Sequence, residues 1–185
     1  MSSKTDLSTF NNNWYKPGNL LLIFVWYFVN IFFFINPLNP FSFLKVFFLK
    51  CFGARIGNNV IIKPGVNIKY PWKLSLGNYV WLGENVWIDN LDEVVIGNNV
   101  CVSQGALLLC GNHNYKKSSF DLIIGKIILE DGCWIGARAV VCGGVTCKTH
   151  SVLSVNSTTS KDLESYSIYQ GIPAIKVRER IISKN

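Results

Sequence analysis

Segment 109–127 carries the residues whose types and spacing could support catalysis. His113 lies within it in the sequence CGNHNY, and Cys110 precedes it by three residues. A neutral imidazole can remove a proton from a hydroxyl near neutral pH, and a thiolate can form covalent intermediates. A single loop histidine is also a common surface residue. The residues alone therefore leave a catalytic and a non-catalytic interpretation open for His113.

The cysteine pattern does not predict a metal centre. The six cysteines stand at positions 51, 101, 110, 133, 142 and 147, with no CxxC pair, and only His113 and His150 could add imidazole ligands. Zinc sites require closely spaced thiols and imidazoles, so no metal site is expected. Cys133 and Cys147 fall on positions that other repeats fill with small or aliphatic residues. We interpret them as buried thiols rather than disulfide partners.

A six-residue period organises the elements that must position His113. An aliphatic residue returns every six positions from Ile56 to Leu108, with two slips of two residues, and again from Leu129 to Leu153. Hexads such as IGNNVI, LGENVW and IGARAV place Gly after the aliphatic residue and a small residue at the fifth position. Helices and simple strands have periods of 3.6 and 2, so a period of six indicates a solenoid.

The period predicts a parallel β-helix. Three hexads per coil would form a triangular prism, with aliphatic side chains inside and Gly or Asn at the tight corners. About five coils are expected, with a bulge at residues 69–73 holding the first slip. Segment 109–127 breaks the period and should project from the prism as a loop, where functional residues concentrate. We predict a helical segment at 1–52, the β-helix at 53–165 and a tail at 166–185.

Two apolar segments precede the repeat. Leu20 to Ile35 is almost continuously apolar, and Asn36-Pro37 should end any helix there. Its 16 residues would rise about 24 Å as a helix, less than the roughly 30 Å of a hydrocarbon core. Residues 41–52 have the pattern of an interfacial helix, with Lys45 and Lys50 at the wet edge. Peripheral membrane contact and a cover over one end of the β-helix both remain open.

The charge balance favours anionic partners. The chain carries a formal net charge of +7 and has a pI near 9.1. The basic residues are spread along the chain, and no nucleic-acid-binding motif is present, so a nucleic-acid partner is not expected. A phosphorylated cofactor or an acidic membrane surface agrees better with the sequence.

Three motifs together resemble a known family. The hexads, the histidine loop and the tail that contains WIGA and GIPA resemble the hexapeptide-repeat O-acetyltransferases over about residues 53–180. The similarity is greatest to acetyltransferases of exopolysaccharide biosynthesis, such as those for colanic acid, and weaker to galactoside and maltose acetyltransferases. The resemblance implies a left-handed coil, a homotrimer with sites between subunits, and acetyl-CoA in the groove between neighbouring prisms.

The resemblance also assigns residues. It implies that His113 is the catalytic base and that transfer is direct, without a covalent intermediate on Cys110. It places the cofactor site at Ala137, Val155, Ser160, Lys161 and Arg178. We add Gly136, whose small size lets a pantetheine arm lie against the coil, and Lys176, because Ile175 stands where a relative has an arginine. The position of the family's substrate-binding asparagine falls at Gly83, so we take Asn85, Asp89 and Asn90 as the substrate-binding candidates.

We therefore expect an enzyme that moves acetyl from acetyl-CoA to a hydroxyl of a sugar or glycan precursor, in exopolysaccharide or capsule biosynthesis. The alternatives are N-acetylation of a nucleotide-linked amino sugar and a non-catalytic β-helix scaffold. The expected location is the cytoplasm, with the inner face of the cell membrane as the alternative. Nothing in the sequence identifies the acceptor sugar.

Overall fold

Each hexad of the sequence becomes one short strand and one turn in the computed structural model, which describes residues 4–183. The first coil consists of β1 (Arg55–Ile56), β2 (Ile61–Ile62) and β3 (Asn67–Ile68). The second consists of β4 (Leu74–Leu76), β5 (Trp81–Leu82) and β6 (Trp87–Asp89). The third consists of β7 (Val94–Ile96), β8 (Cys101–Val102) and β9 (Leu107–Leu109). Five complete coils follow one another in this way, so the predicted β-helix is confirmed.

The histidine segment interrupts the prism after the third coil. Its two strands, β10 (Gly111–His113) and β11 (Leu122–Ile124), form an antiparallel hairpin. The fourth coil consists of β12 (Ile127–Leu129), β13 (Trp134–Ile135) and β14 (Val140–Cys142), and the fifth of β15 (Thr146–Cys147), β16 (Val152–Leu153) and β17 (Thr158–Thr159). The prism therefore continues in register beyond the hairpin.

The strands stack into three parallel sheets that form the faces of the prism. The first face has the order β1-β4-β7-β12-β15, and the third face has the order β3-β6-β9-β14-β17. The second face contains β2-β5-β8-β13-β16 and is extended by β18 (Ser167–Gly171) and β19 (Ala174–Glu179). The periodic aliphatic residues point inward. Ile62, Leu82 and Val102, for example, lie above one another and are fully buried.

A ladder of side-chain amides closes one corner of the prism. The backbone N–H of Asn58 donates to Oδ1 of Asn78, that of Asn78 to Oδ1 of Asn98, and that of Asn98 to the carboxylate of Asp131. The residues that follow, Asn59 and its equivalents, adopt positive φ angles. Asn tolerates this left-handed conformation better than most residues do, which explains the repeated Asn pairs of the sequence.

The first slip in the period occurs where a turn replaces a plain corner. Residues Pro71–Lys73 form a 3₁₀ turn between the first and second coils. The buried amide of Asn90 holds this turn, because its Nδ2 donates to the carbonyl oxygen of Tyr70 and its Oδ1 accepts from the Tyr70 N–H. Both Leu74 and Leu76 are then buried in β4, so the slip preserves the core.

The N-terminal segment folds as two helices over the open end of the first coil. Helix α1 (Leu20–Val29) continues into a π-helical turn, Asn30–Ile35, and α2 (Ser42–Cys51) follows after Pro40. We call residues 20–52 the cap. Its inner side chains Trp26, Phe34 and Leu49 are buried against the first coil. The cap therefore extends the hydrophobic core beyond the last hydrogen-bonded strand.

The cap also satisfies the exposed backbone of the first coil. The Trp26 indole donates to the carbonyl oxygen of Ile68 at 2.8 Å, and the N–H of Gly65 donates to the carbonyl oxygen of Phe34 at 2.9 Å. The Ser42 hydroxyl accepts from the N–H of Ile62. An uncovered sheet edge would present unpaired N–H and C=O groups for aggregation. A cover over one end of the β-helix, one of the two alternatives that the sequence left open, is thus present.

Lys45 differs from the sequence prediction. It was expected at the wet edge of α2, but its side chain is fully buried, and Nζ donates to the carbonyl oxygen of Ile62 at 3.3 Å. Burial lowers the pKa of this ammonium to about 8. The pattern of α2 alone could not show this, because the orphan carbonyl belongs to a strand 17 residues away.

The outer side of the cap is apolar and exposed, and its members are Leu20, Leu21, Phe24, Tyr27, Phe28, Phe32, Leu38, Phe41, Phe43 and Phe47. We call this set the aromatic surface. In residues 4–183, none of the helices combines the length and hydrophobicity that crossing a bilayer requires.

We expect Phe34→Ala to destabilise the protein by about 3–5 kcal/mol, because it empties a fully buried position between the cap and the first coil. Urea unfolding followed by circular dichroism measures this change. Phe32→Ala is the matched control, since Phe32 lies two residues away and is 60% exposed, and it should change stability by less than about 0.5 kcal/mol. Equal effects of the two variants would contradict the capping function.

Candidate active site

The hairpin that carries His113 is held by its own polar residues. Strand β10 pairs with β11, so that Gly111 faces Ile124 and His113 faces Leu122. In the connecting turn, Asp121 accepts hydrogen bonds from Ser119 at 2.6 Å and from Lys117 at 2.9 Å. These bonds lower the pKa of the Asp121 carboxyl and keep it ionised. The loop predicted from the broken period is therefore an ordered platform for His113.

Phe120 orients the His113 imidazole. Nδ1 of His113 lies 2.9 Å from the carbonyl oxygen of Phe120, and the two rings stack with centroids 4.4 Å apart and an interplanar angle of 9°. A carbonyl oxygen only accepts, so Nδ1 carries the proton and Nε2 keeps its lone pair. Phe120 has a φ of 52°, in the left-handed region. The Nδ1 hydrogen bond leaves Nε2 as the basic atom of the imidazole.

The N-terminal arm, residues 6–15, adds contacts that the sequence did not reveal. The backbone N–H of Asp6 donates to the carbonyl oxygen of Ser118 at 2.8 Å, and the Phe10 ring lies 5.9 Å from the His113 ring. Farther along, the Tyr15 hydroxyl donates to the carbonyl oxygen of Leu91. No motif signals these contacts, because they join segments more than 70 residues apart.

Cys110 does not have the environment of a nucleophile. Its side chain is buried at the base of the hairpin, and burial raises the pKa of the thiol to about 12. The reactive form of cysteine is the thiolate, which is scarce at neutral pH when the pKa is this high. Direct transfer assisted by His113 agrees with this geometry better than a thioester on Cys110.

A groove of about 730 Å³ runs along the second face. Four of the predicted cofactor residues line it together: Gly136, Ala137, Val155 and Arg178. Trp134 and Arg180 also line it, and neither was predicted. The indole N–H of Trp134 donates a hydrogen bond to the hydroxyl of Ser103, which fixes the ring. The guanidinium of Arg180 donates hydrogen bonds to the carbonyl oxygens of Gly132 and His150. The groove thus combines an apolar wall with two guanidinium groups.

Gly136 also has a structural reason to be glycine. A Cβ at this position would lie 2.6 Å from the backbone nitrogen of Val155 in the next coil, so only glycine permits the close stacking.

Three other predicted cofactor residues do not line this groove. Lys176 forms ion pairs with Glu164 at 2.8 Å and with Glu179 at 2.7 Å. Ser160 and Lys161 lie on the turn after β17, at the end of the third face. In contrast, Arg178 makes no ion pair within the described residues. The assignments of Ser160, Lys161 and Lys176 stay predictions, and Arg178 is the better placed cation.

The three predicted substrate residues are not brought together. Asn85 is exposed at the corner between the second and third faces, with a φ of 58° that this corner requires. Asn90 is buried, and its amide is used by the backbone of Tyr70. Asp89 lies beside the hairpin and pairs with Lys69 at 2.8 Å. All three remain predictions, with Asp89 placed nearest to the His113 hairpin.

Across residues 4–183, no group of three or more His, Cys, Asp or Glu side chains is arranged to hold a metal ion. All six cysteines are free thiols.

The fold and this site together define a β-helical acyltransferase, with one oriented histidine on a projecting hairpin and a basic groove on a neighbouring face. No protein-family model matches the chain. The chain is 34% identical over 177 residues to an Escherichia coli K12 protein named colanic acid biosynthesis acetyltransferase WcaF, covering 95% of this chain and 97% of that protein. It is 28% identical over 134 residues to the galactoside O-acetyltransferase of the same strain, covering 68% of this chain and 64% of that protein.

Solved structures of acetyltransferases have a fold similar to that of this chain. A hexapeptide-repeat acetyltransferase from Vibrio cholerae superimposes with a TM-score of 0.78 at 20% identity, covering 86% of this chain and 90% of that one. A further structure of that protein, with a TM-score of 0.72, contains acetyl-CoA. This protein belongs to the hexapeptide-repeat acetyltransferases, and its fold is the left-handed β-helix of that family.

We expect Phe120→Ala to reduce kcat by about ten- to a hundredfold, because small displacements of a catalytic group are costly. The variant removes the ring that stacks on His113 and leaves the imidazole less restrained. The KM for acetyl-CoA should not change, which separates positioning of His113 from damage to the groove. Tyr115→Ala, an exposed position on the same hairpin, is the control and should leave kcat within about twofold.

Proposed function

We propose that this enzyme transfers the acetyl group of acetyl-CoA to a hydroxyl of a sugar or glycan precursor in exopolysaccharide or capsule biosynthesis. The observation that carries the proposal is the His113 imidazole, whose Nδ1 donates to a backbone carbonyl so that Nε2 can accept a proton. Membership of the acetyltransferase family supports the reaction type, and the names of the two relatives support a saccharide acceptor.

His113 is sufficient for direct transfer of the acetyl group, without a covalent intermediate on the enzyme. Nε2 of His113 removes the proton of the acceptor hydroxyl as its oxygen attacks the thioester carbonyl. A carbon–oxygen bond forms, the carbon–sulfur bond breaks, and the imidazolium returns the proton to the departing CoA sulfur. No redox partner is needed. The enzyme supplies orientation and one proton relay, which are the usual sources of rate in such transfers.

The second-face groove is suited to the donor. Its wall at Ala137 and Val155 is shallow enough for a pantetheine arm, while Arg178 and Arg180 can bind phosphates through charge-assisted hydrogen bonds. Lys161 and Ser160 would contribute only if the nucleotide end reaches the turn that follows β17.

The donor groove and His113 lie on different parts of one chain, which supports an oligomer, and the family resemblance makes that oligomer a homotrimer. Within the third coil, Gln104 borders the groove and Gly111 begins the hairpin, and the third face separates them. Seven extended residues span roughly 20 Å, whereas reacting atoms must approach within about 3.5 Å. A second copy that places its hairpin against the groove would complete the site. Exposed apolar residues on the second face, such as Trp81, could be covered in that assembly.

We also propose that the cap makes peripheral contact with the membrane. The aromatic surface would rest at the level of the lipid headgroups, as amphipathic membrane-binding segments do. The charge distribution supports an anionic membrane. Residues 7–83 contain seven Lys or Arg and no Asp or Glu, so they account for the whole net charge of +7, and the remainder of the chain is neutral. Lys45, one of the seven, is buried and does not face a membrane. Each lysine near an anionic surface contributes about 1 kcal/mol.

We expect His113→Ala to lower kcat by about two to four orders of magnitude with little change in binding of CoA, because it removes the general base. Release of the CoA thiol with a panel of hydroxyl and amino sugars measures the rate, and the product masses show whether oxygen or nitrogen is acetylated. The control is His150→Ala, which removes an imidazole stacked on Tyr166 at a coil corner and should leave kcat unchanged. Wild-type turnover by the His113 variant would refute the mechanism.

Mixed oligomers test the shared site. His113→Ala and Ala137→Trp, which fills the groove, should each be nearly inactive alone. Co-expressed chains should recover about one quarter of wild-type activity, since one in four interfaces joins an intact hairpin to an intact groove. Sedimentation should give the mass of three chains. If co-expression restores nothing, each active site lies within one chain.

We expect the protein to sediment with vesicles made of equal parts phosphatidylglycerol and phosphatidylcholine, less with phosphatidylcholine alone, and less again at high salt. Phe43→Ser combined with Phe47→Ser should weaken binding by tenfold or more, since these exposed rings belong to the aromatic surface. Ile181→Ser, also exposed but on the tail, serves as the control. If the Phe43→Ser, Phe47→Ser double variant bound these vesicles as well as the wild-type protein does, a membrane contact through the cap would be contradicted.

A further inference from the structure

A second cavity, separate from the donor groove, lies between the cap and the third face. Its volume is about 290 Å³. The cap contributes Tyr27, Ile31 and Ile35, and the first two coils contribute Lys69, Trp87 and Asp89. Neither His113 nor any predicted cofactor residue lines it. Its two walls differ in chemistry, which restricts the kind of ligand that could occupy it.

The wall on the coils offers groups that bind a sugar. Trp87 points outward from the third face and remains 46% exposed, so its indole presents a flat apolar surface to the C–H side of a pyranose ring. Asp89 accepts one bond from Lys69 at 2.8 Å, and its remaining lone pairs can accept from hydroxyls. A mostly apolar pocket with a few convergent polar groups is the usual form of a small-molecule site.

This wall is next to the hairpin that carries the catalytic base. A Cβ built on Gly111 would lie 2.5 Å from Cδ1 of Leu91 and 3.7 Å from Oδ2 of Asp89, so this face of β10 is turned toward these two side chains. Residues two apart in a strand share a face, and they lie about 7 Å apart. His113 therefore projects from the same side of the hairpin, one strand repeat beyond the residue that meets Asp89. A pyranose bound at Asp89 could present a hydroxyl to Nε2.

The wall on the cap is apolar and continues onto the aromatic surface. Tyr27 forms the rim and is 60% exposed. Its ring packs against Phe28 at 5.5 Å, and Phe28 packs against Phe24 at 5.1 Å. A hydrocarbon chain leaving the cavity between Ile31 and Ile35 would meet further apolar side chains instead of water. Burial of such a chain is favourable by about 0.8 kcal/mol per methylene.

We propose that this cavity is the acceptor site and that the acceptor is a saccharide carried on a hydrocarbon chain in the membrane. The sugar lies against Trp87 with a hydroxyl at Asp89, and the chain passes between Ile31 and Ile35 to the aromatic surface. The proposal rests on the proposed acetyl transfer, and it adds the class of acceptor and the residues that select it. The cap thereby has two functions, since it closes the β-helix and forms half of the acceptor site.

Matched glycosides test the proposal with the full-length protein. Octyl β-D-galactopyranoside, below its micelle concentration, is compared with methyl β-D-galactopyranoside by titration calorimetry and by release of the CoA thiol. The octyl compound should bind at least about tenfold more tightly, as transfer of several methylenes predicts. Ile31→Ser should abolish this preference, and Trp87→Ala should weaken binding of both compounds. The KM for acetyl-CoA should stay unchanged in both variants.

Tyr79→Asn is the matched control, because Tyr79 is an exposed aromatic residue of the same coil that does not line the cavity, and Asn59 and Asn99 occupy the equivalent corners. If Trp87→Ala lowers the Tm, Trp87→Leu keeps an apolar side chain without the indole and answers the same question. Equal affinity for the two glycosides, or equal effects of the Trp87 and Tyr79 variants, would overturn the proposal. If the wild-type and His113→Ala proteins both bind the octyl glycoside with this preference but neither releases CoA thiol, the acceptor site is supported and the proposed acetyl transfer is contradicted.

Discussion

The structure depends on the parallel hydrogen-bond ladders that join each coil to the next. Every coil uses its neighbours to pair its backbone and to bury its aliphatic residues, so the prism is stable only if both ends are closed. At the C-terminal end, β18 and β19 fold back as an antiparallel hairpin on the second face. At the N-terminal end, the cap supplies an indole, a hydroxyl, an ammonium group and a backbone carbonyl to the edge groups of the first coil.

This constraint accounts for the apolar character of the N-terminal segment, which by sequence alone resembles a short membrane span. The inner side chains Trp26, Phe34 and Leu49 are required by the core. The core does not require apolar side chains on the outer side, because a cover over a β-helix could have a polar exterior. The proposed membrane contact would account for this apolar exterior.

The proposed base does not stand on a regular coil. The hairpin that follows the third coil projects His113 from the prism, and Phe120 fixes its tautomer through one backbone carbonyl. Because a face of the prism separates this hairpin from the proposed donor groove, the proposed mechanism requires more than one chain to bring base and thioester together.

The sequence by itself determined the β-helix, its inward aliphatic residues and the projecting histidine. These features repeat locally or interrupt the repeat, so spacing alone reveals them. The four residues that line the groove were assigned by resemblance to the motifs of the family. The tertiary structure decided what depends on distant partners. It showed that Lys45 is buried under a carbonyl of the first coil, that Asn90 serves a turn, that Lys176 is neutralised by two glutamates, and that Phe120 orients His113. Each of these depends on which orphan donor or acceptor lies within hydrogen-bond reach, and a one-dimensional pattern does not contain that information.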